Sequence, residues 1–425
     1  MREVYEVPTC RGPIDARVRP PGSKSLTNRA LVVSALADGV SRLTNVLDCD
    51  DTRVMLDSLQ ALGIRVEENS RESSVIVYGC GGRIPAEAAD LWLQNSGTSI
   101  RFLTAMCALG NGDFRLDGNA RMRQRPIGPL VDALNQLGVN AECILQTGCP
   151  PVLVQGAGLS GGTASISGRV SSQFLSALLM AAPGARDAVT LECRDGLVSR
   201  PYVDMTIGVM ARFGVSVEVQ EERRFLVEPQ TYQAAEYAIE PDASAASYFF
   251  AVAAITQGRV TVEGLSLHSL QGDIRFVEAL EQMGCRVDWE ADSTTVTGGP
   301  LRGIEIDMNE ISDTAQTLAV VAAFAEGPTR IYNVGHMRHK ETDRLAAMAT
   351  EFRRVGLRVD EEPDAITIHP GTIRPATIQT YDDHRMAMSF ALLGLRVPGI
   401  RIGDPQCTRK TYPGFFRDLE RVIGC

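Results

Sequence analysis

Two stretches carry most of this chain's capacity for chemistry. The first is Pro21-Gly22-Ser23-Lys24-Ser25-Leu26-Thr27-Asn28-Arg29, which leads into the apolar run Ala30 to Ala37. A proline pair and a glycine turn the backbone, hydroxyls fall at cap positions, and a helix begins with unpaired N–H groups facing outward. Lys24 and Arg29 add formal charge to the positive end of the helix dipole, and Ser23, Ser25 and Thr27 offer neutral donors. An anion site and an ordinary capped helix both fit this turn chemistry. A nucleotide P-loop does not, because Ser23 separates Gly22 from Lys24.

The second stretch is His339-Lys340-Glu341-Thr342-Asp343-Arg344, and beside it stand two further candidates, Asp313 after Ile311-Ser312 and Asp382-Asp383-His384-Arg385. A carboxylate beside lysine and arginine suits general acid–base work on an anionic substrate. Asp313 opens an apolar helix and could equally cap it. Lys340 and Arg344, one helical turn apart, could be a solvated helix face with Glu341. His336 and His339 have metal-pair spacing without a third ligand nearby, and no metal is expected. Asp383 reads as a helix cap that orients Arg385. The lysine count sharpens the choice. Of 42 basic residues only Lys24, Lys340 and Lys410 are lysines. An ammonium is a compact charge that can lose its proton when desolvated and a guanidinium cannot, so these three positions need what arginine lacks.

Elements must position these groups, and they recur. Apolar helical segments open near Ser25, Ser96, Ser171, Asp242, Asp313 and Asp383, at spacings of 71, 75, 71, 71 and 70 residues. Each is followed by a strand-like stretch, namely Arg42 to Leu47, Asp113 to Leu116, Ala188 to Cys193, Arg259 to Glu263, Thr329 to Asn333 and Ile400 to Ile402. A second, amphipathic helix then closes at Gly63, Gly138, Gly214, Gly284, Gly356 or Gly424. The unit is β-α-β-α-β-β in some cyclic order, six times over. The sixth copy stops before its trailing strands, and strand-like pieces at Val4 to Val7 and Ile14 to Val18 could supply them. Pro20-Pro21 and Glu240-Pro241 then mark crossovers between two α/β domains of three units each, 1–20 with 241–425 and 21–240. The first helix of every unit is apolar nearly all round and must lie inside. Three parallel helices per domain would gather their N-termini at one end, and an active site in a cleft between the domains would be ringed by them.

Composition limits the classes. With 425 residues, 44% hydrophobic, the chain can bury two or three domain cores. No apolar run reaches spanning length, and the first twenty residues hold acidic residues and three prolines where a signal peptide needs an apolar centre, so no membrane partner and a cytoplasmic location are expected. The ten cysteines form no C-x-x-C pair and are read mostly as buried apolar filler. A net charge of −10 argues against nucleic acid, and the apolar inner helices argue against a sliding clamp.

Taken together, PGSKSLTNRA, NSGTSIRF, RMRQRPIG, SSQFLSALL, SRPYVD, the segment around Asp313, HKETDR, DDHRMAM and TRKTYP resemble the 5-enolpyruvylshikimate-3-phosphate (EPSP) synthases of the enolpyruvyl transferase family, from about residue 14 onward. The resemblance implies two domains of three βαβαββ units, an inverse α/β barrel-like fold with pseudo-threefold symmetry. It implies transfer of the enolpyruvyl group of phosphoenolpyruvate to shikimate-3-phosphate, without cofactor or metal, and a monomer is expected. It places shikimate-3-phosphate on Lys24, Ser25, Arg29, Ser171, Ser172, Gln173, Ser199, Tyr202, Asp313, His336 and Lys340. Phosphoenolpyruvate falls on Lys24, Gly97, Arg125, Gln173, Arg344, Arg385 and Lys410, with Asp313, Glu341 and Lys24 catalytic. Arg101, Arg121 and Arg123 are expected to shape the field without direct contact. Some family members carry asparagine at His336, proline at Phe102 and alanine at Ser96 and Ser99. The sister transferase acting on UDP-N-acetylglucosamine commonly has a cysteine in the loop that here runs from Gly118 to Arg125 without one. A silent anion-binding scaffold would have no use for carboxylates beside anionic ligands.

Overall fold

In the computed structural model, which describes residues 3–424, the six predicted repeats become six pairs of helices. They are α1 (Lys24–Leu36) and α2 (Asp50–Ala61), α3 (Gly97–Cys107) and α4 (Gly128–Gln136), α5 (Ser172–Ala181) and α6 (Pro201–Arg212), α7 (Ala243–Thr256) and α8 (Phe276–Gln282), α9 (Ala315–Ala322) and α10 (Arg344–Arg354), and α11 (His384–Ala391) and α12 (Phe415–Ile423). The odd-numbered helices are the buried ones. All fourteen residues of α7 and eleven of the thirteen in α1 are buried, so these helices occupy the centre and the sheets lie outside them. Even-numbered helices keep one face outward. Each ends before a glycine in the left-handed region, Gly63, Gly138, Gly214, Gly284, Gly356 and Gly424, with φ between +74° and +111°. Only glycine adopts that backbone without steric cost, which is why the closing residue repeats.

The second, third and fifth sheets are each built from one unbroken βαβαββ run. In the second, Ala88–Trp92 lies parallel to Asn111–Asp117, followed by Val152–Ala157 and then Asn140–Cys143, both contacts antiparallel. The first and fourth sheets differ because the chain crosses over. Glu236–Ala238 pairs parallel with Val40–Thr44, whereas Asp15–Val18 pairs parallel with Arg259–Glu263. Each of these sheets thus takes its first strand from a distant part of the chain. The chain divides into two compact units, Gly22–Ile239 and the residues up to Pro21 together with those from Glu240 on. Each unit has its own hydrophobic core and three repeats, every one with a four-stranded βαβαββ sheet except the sixth.

The two N-terminal strands do not both complete the last repeat. Val4–Glu6 joins Arg401–Gly403 antiparallel in the sixth sheet, which has three strands, and Asp15–Val18 goes to the fourth. Strand ends also move by a few residues: the expected 42–47 is Val40–Thr44, and 188–193 extends to Val189–Leu197. Of the nine described cysteines, Cys49, Cys107, Cys193 and Cys285 are buried and the other five are half-buried, so filler describes fewer than half.

Within the Gly22–Ile239 unit, α3 packs on α1 and α5. In the other unit, α9 packs on α7 and α11, and the hydroxyls of Ser247, Thr317 and Ser389 meet in sequence at 3.1 and 3.3 Å, one from each helix. This shared axis brings three helix N-termini to one end of each unit. Side-chain oxygens of Ser23, Ser171, Asp242 and Asp383 accept backbone N–H bonds there. Ser96 instead turns its hydroxyl to Ser99, at 2.8 Å.

Candidate active site

Each unit gathers predicted residues at the N-terminal ends of its inner helices. In the Gly22–Ile239 unit, Lys24 is the first residue of α1, and its Nζ lies 3.2 Å from Oδ2 of Asp51 in the first turn of α2. Asp51 is buried and Lys24 only slightly exposed, so the ammonium is held in one place by charge rather than left to solvent. The Ser99 hydroxyl donates to the Asp51 carbonyl at 3.3 Å, tying this pair to α3.

Gly97 begins α3 under two guanidinium groups. An added Cβ would lie 2.3 Å from Nη2 of Arg125 and 2.9 Å from Nη1 of Arg101. Arg125 donates to the carbonyl and side-chain oxygens of Asn95 at 2.9 and 3.1 Å. Arg101 donates to Gln173 Oε1 at 2.5 Å and to the Pro126 carbonyl at 3.0 Å, and Gln173 donates onward to Thr98 Oγ1 at 3.2 Å. Two buried cations at the positive end of a helix repel one another, and an anion placed there relieves all three terms. Arg101 thus lies against Gly97 and is bonded to Gln173. Arg123, by contrast, is an outer residue paired with Asp117.

Ser171 and Ser172 form the cap and first residue of α5. Ser199 is buried with φ +53°, a left-handed conformation that is costly for a residue with a side chain and is retained where the surrounding structure fixes it. Tyr202 lies in the first turn of α6. Arg29 turns inward. It donates to Thr206 Oγ1 at 2.7 Å, to the Tyr202 carbonyl at 3.0 Å and to the Ser25 carbonyl at 2.9 Å, and it stacks 5.1 Å from the Phe102 ring. It thereby ties α1 to α6 beneath Ser25 and Tyr202, and burial pushes its guanidinium down to about 10.

The other unit gathers Asp313, Lys340, Glu341, Arg344 and Arg385, among which the residues predicted for acid–base work fall. Asp313 does not cap a helix: it sits in a single 3-10 turn, Ser312–Thr314, ahead of α9, which frees its carboxylate for side chains. Oδ1 accepts from Lys340 Nζ at 2.5 Å and Arg344 Nη1 at 3.2 Å, and Oδ2 accepts from Arg385 Nη2 at 2.8 Å. Burial would raise the carboxyl's pKa, but the charges of Arg385, Lys340 and Arg344 outweigh burial and hold it well below the usual carboxylate range. Burial pushes the Lys340 ammonium downward, with Arg344 and Arg385 adding to the effect against the pull of Asp313.

Lys340 and Arg344 are not neighbours on one helix. Lys340 ends a 3-10 segment, Gly335–His339, and Arg344 begins α10, capped by Asp343, because the Asp343 side chain takes the Ala346 N–H and starts the helix four residues late. Glu341 lies in the intervening loop, nearly buried, and accepts from Arg344 Nη2 at 2.9 Å. Arg344 is also gripped by Asp383 at 2.7 and 3.3 Å, and Asp383 caps α11 through the Arg385 N–H at 2.9 Å. Asp383 thus combines the predicted cap with an ion pair. Lys340 donates to the Ser312 hydroxyl at 3.1 Å, and His336 Nε2 meets the same oxygen at 2.9 Å. Lys410 is the buried last residue of a 3-10 segment, Pro405–Lys410, packed on α11.

Asp51, Asn95, Thr98, Ser312 and Tyr248 were not foreseen as neighbours of these groups. Asp50-Asp51 reads in sequence as the ordinary acidic first turn of a helix, so the partner of Lys24 carries no local signal. Among the described residues no helix is long and apolar enough to cross a membrane.

Comparison with known proteins shows the family and the fold. A family model for EPSP synthase (3-phosphoshikimate 1-carboxyvinyltransferase) matches residues 8–419. The chain is 49% identical over 423 residues to the 3-phosphoshikimate 1-carboxyvinyltransferase of Nostoc punctiforme, covering 99% of both. It is 49% identical to the chloroplastic 3-phosphoshikimate 1-carboxyvinyltransferase of Arabidopsis thaliana, covering 96% of this chain and 82% of that one. The solved EPSP synthase of Acinetobacter baumannii superposes with a TM-score of 0.82 at 25% identity, over 99% of this chain and 98% of that one. With cations crowding a helix start in one unit and a thrice-paired aspartate in the other, on a fold of twice three βαβαββ repeats, this chain belongs to the EPSP synthase family.

Proposed function

We infer that this chain transfers the enolpyruvyl group of phosphoenolpyruvate to the 5-hydroxyl of shikimate-3-phosphate, releasing phosphate, as a step in aromatic amino-acid biosynthesis. The observation that carries the division of labour is the bracing of Asp313 by Lys340, Arg344 and Arg385. Both substrates are polyanions, so the cations that hold Asp313 are also the groups an incoming phosphate or carboxylate seeks. Phosphoenolpyruvate lies on Lys24, Gly97, Arg125, Gln173, Arg344, Arg385 and Lys410. Shikimate-3-phosphate lies on Lys24, Ser25, Arg29, Ser171, Ser172, Gln173, Ser199, Tyr202, Asp313, His336 and Lys340. The reading requires both sets to act on one pair of substrates, in a monomeric, cytoplasmic enzyme.

The chemistry is addition, then elimination. The 5-hydroxyl oxygen attacks C2 of phosphoenolpyruvate, its proton passes to Asp313, and C3 gains a proton to become a methyl group. The C2–O bond to phosphate then breaks as C3 gives a proton back, leaving the enolpyruvyl ether. Held well below the ordinary carboxylate range, Asp313 is a weak base while its three cations face it alone. When substrate anions share Arg344, Arg385 and Lys340, that field weakens and the carboxylate becomes basic enough to take the hydroxyl proton. Glu341 and Lys24 serve the proton transfers at C3, Glu341 held by Arg344 and Lys24 by Asp51.

Phosphate release tests the reading directly. The purified chain in chelator should release phosphate from phosphoenolpyruvate with shikimate-3-phosphate and not with UDP-N-acetylglucosamine. Release only with the sugar nucleotide would move the chain to the sister activity. That outcome is disfavoured because the loop from Gly118 to Arg125 has no cysteine and burial in α3 pushes the Cys107 thiol up, away from the reactive thiolate.

A further inference from the structure

A buried carboxylate outside the groups described so far grips the loop that leads to Asp383 and, on α11, Arg385. Glu351 lies seven residues after Arg344 on α10, two turns along the same helix face, and is fully buried. Its Oε1 accepts from the Tyr381 hydroxyl at 2.6 Å, and its Oε2 accepts from the Gln379 backbone N–H at 3.0 Å and from Arg354 Nε at 2.7 Å. Between these anchors and α11 the chain makes an unusual turn. Tyr381 and Asp382 stand consecutively in the left-handed region, at φ +56° and +55°, and neither is glycine. Two such residues in a row persist only when their surroundings over-determine them.

The turn delivers Asp383, whose carboxylate holds Arg344 at 2.7 Å and caps Arg385 at 2.9 Å. One helix therefore supplies Arg344 at its start and, two turns later, the clamp on the loop that aims Arg344 and Arg385. A carboxylate that served stability alone would be better replaced by an apolar side chain, since burying it costs desolvation. Here two of its three donors, the Gln379 N–H and the Tyr381 hydroxyl, come from the segment that forms a strained turn beside the cation pair, and the third, Arg354, lies on its own helix.

We propose that Glu351, acting through Tyr381 and the left-handed turn at Tyr381-Asp382, is a positioning residue that sets the geometry of Arg344 and Arg385 for the phosphoenolpyruvate anion. The proposal rests on the assignment of phosphoenolpyruvate to those two arginines. Glu351→Gln keeps the shape but accepts one hydrogen bond fewer, and Tyr381→Phe removes a single hydroxyl from a half-exposed ring, so at least the second variant should fold. Steady-state kinetics should give a KM for phosphoenolpyruvate raised about tenfold in Glu351→Gln and about threefold in Tyr381→Phe, the loss of one hydrogen bond or part of one. The dissociation constant of shikimate-3-phosphate, titrated without phosphoenolpyruvate, should stay within about twofold of the parent on the same reasoning. A lowered Tm with the phosphoenolpyruvate KM unmoved, or equal weakening of both substrates, would overturn the positioning role. Arg385→Lys, measured alongside, separates the two levels. If it raises the phosphoenolpyruvate KM and the Glu351 and Tyr381 variants do not, the clamp is refuted alone; if it has no effect, the anion assignment falls and the clamp with it.

Discussion

Replacing Gly97 by alanine tests the anion site with one methyl group. The new Cβ would lie 2.3 Å from Nη2 and 2.6 Å from Cζ of Arg125, against an ordinary contact of about 3.4–4 Å, so the guanidinium must retreat by roughly 1 Å or more. It is the far end of a flexible side chain, so it can retreat, but only by stretching its bonds to Asn95 at 2.9 and 3.1 Å. Losing one charged hydrogen bond to the substrate costs about 1.5–3 kcal/mol, or roughly 10–100-fold in affinity. The helix itself gains slightly, because alanine is a better helix residue than glycine by up to about 1 kcal/mol. The KM for phosphoenolpyruvate and the inhibition constant of glyphosate, the known inhibitor of this family, should therefore both rise, while the helix gain and the stretched Asn95 bonds offset one another and leave the Tm little changed. Steady-state kinetics with each ligand, beside calorimetry, gives all three quantities. A Gly97→Ala enzyme with the parental KM and parental glyphosate inhibition would refute the argument that the missing side chain leaves room for the anion beneath Arg125.

Two other substitutions report on the aspartate-bearing unit. His336 is pushed down to about 3 from the ordinary value near 6.5, first by burial and then by the charge of Lys340. Between those values the unfolded chain binds a proton that the folded chain refuses, so folding stability falls as pH drops through the window. His336→Asn removes the effect, and the Tm difference between pH 7 and pH 4 should shrink; an unchanged difference would show that His336 is not held neutral. Asp383→Asn leaves Arg344 without its fully buried partner and should cost about 3–5 kcal/mol in urea unfolding, towards the lower end because Glu341 and Asp313 remain. A loss under about 1 kcal/mol would mean that Asp383 serves as a cap alone.

The repeat was legible in sequence because its signals are local. Six apolar helices and six closing glycines recur whatever the rest of the chain does, and a left-handed helix stop admits little else. The site residues were legible through motifs, but their geometry was not. Nothing near Asp313 foretells that a 3-10 turn will free its carboxylate, and nothing in HKETDR shows that Asp343 will delay α10 and leave Lys340 outside it. Long-range partners were the least visible. Asp51 looks like an ordinary helix-start acid until it meets Lys24, Arg29 reads as a cation of the anion site with no hint that Thr206 and Phe102 will enclose it, and Glu351 gains meaning only when Tyr381 arrives from thirty residues away.

The exchange of first strands between the first and fourth sheets also sets a timetable. During synthesis the Gly22–Ile239 unit can close as soon as Glu236–Ala238 reaches Val40–Thr44. Asp15–Val18, made earlier, has no partner until Arg259–Glu263 emerges some 240 residues later. At about 5–20 residues per second that is a wait of roughly 12–50 s, and Val4–Glu6 waits longer still, for Arg401–Gly403. Among the described strand pairings these two span the longest stretches of chain, so their N-terminal strands wait longest and present open edges meanwhile to any other strand nearby. Asp15-Ala16-Arg17-Val18 alternates charge with small apolar residues, a pattern that keeps such an edge soluble while it waits.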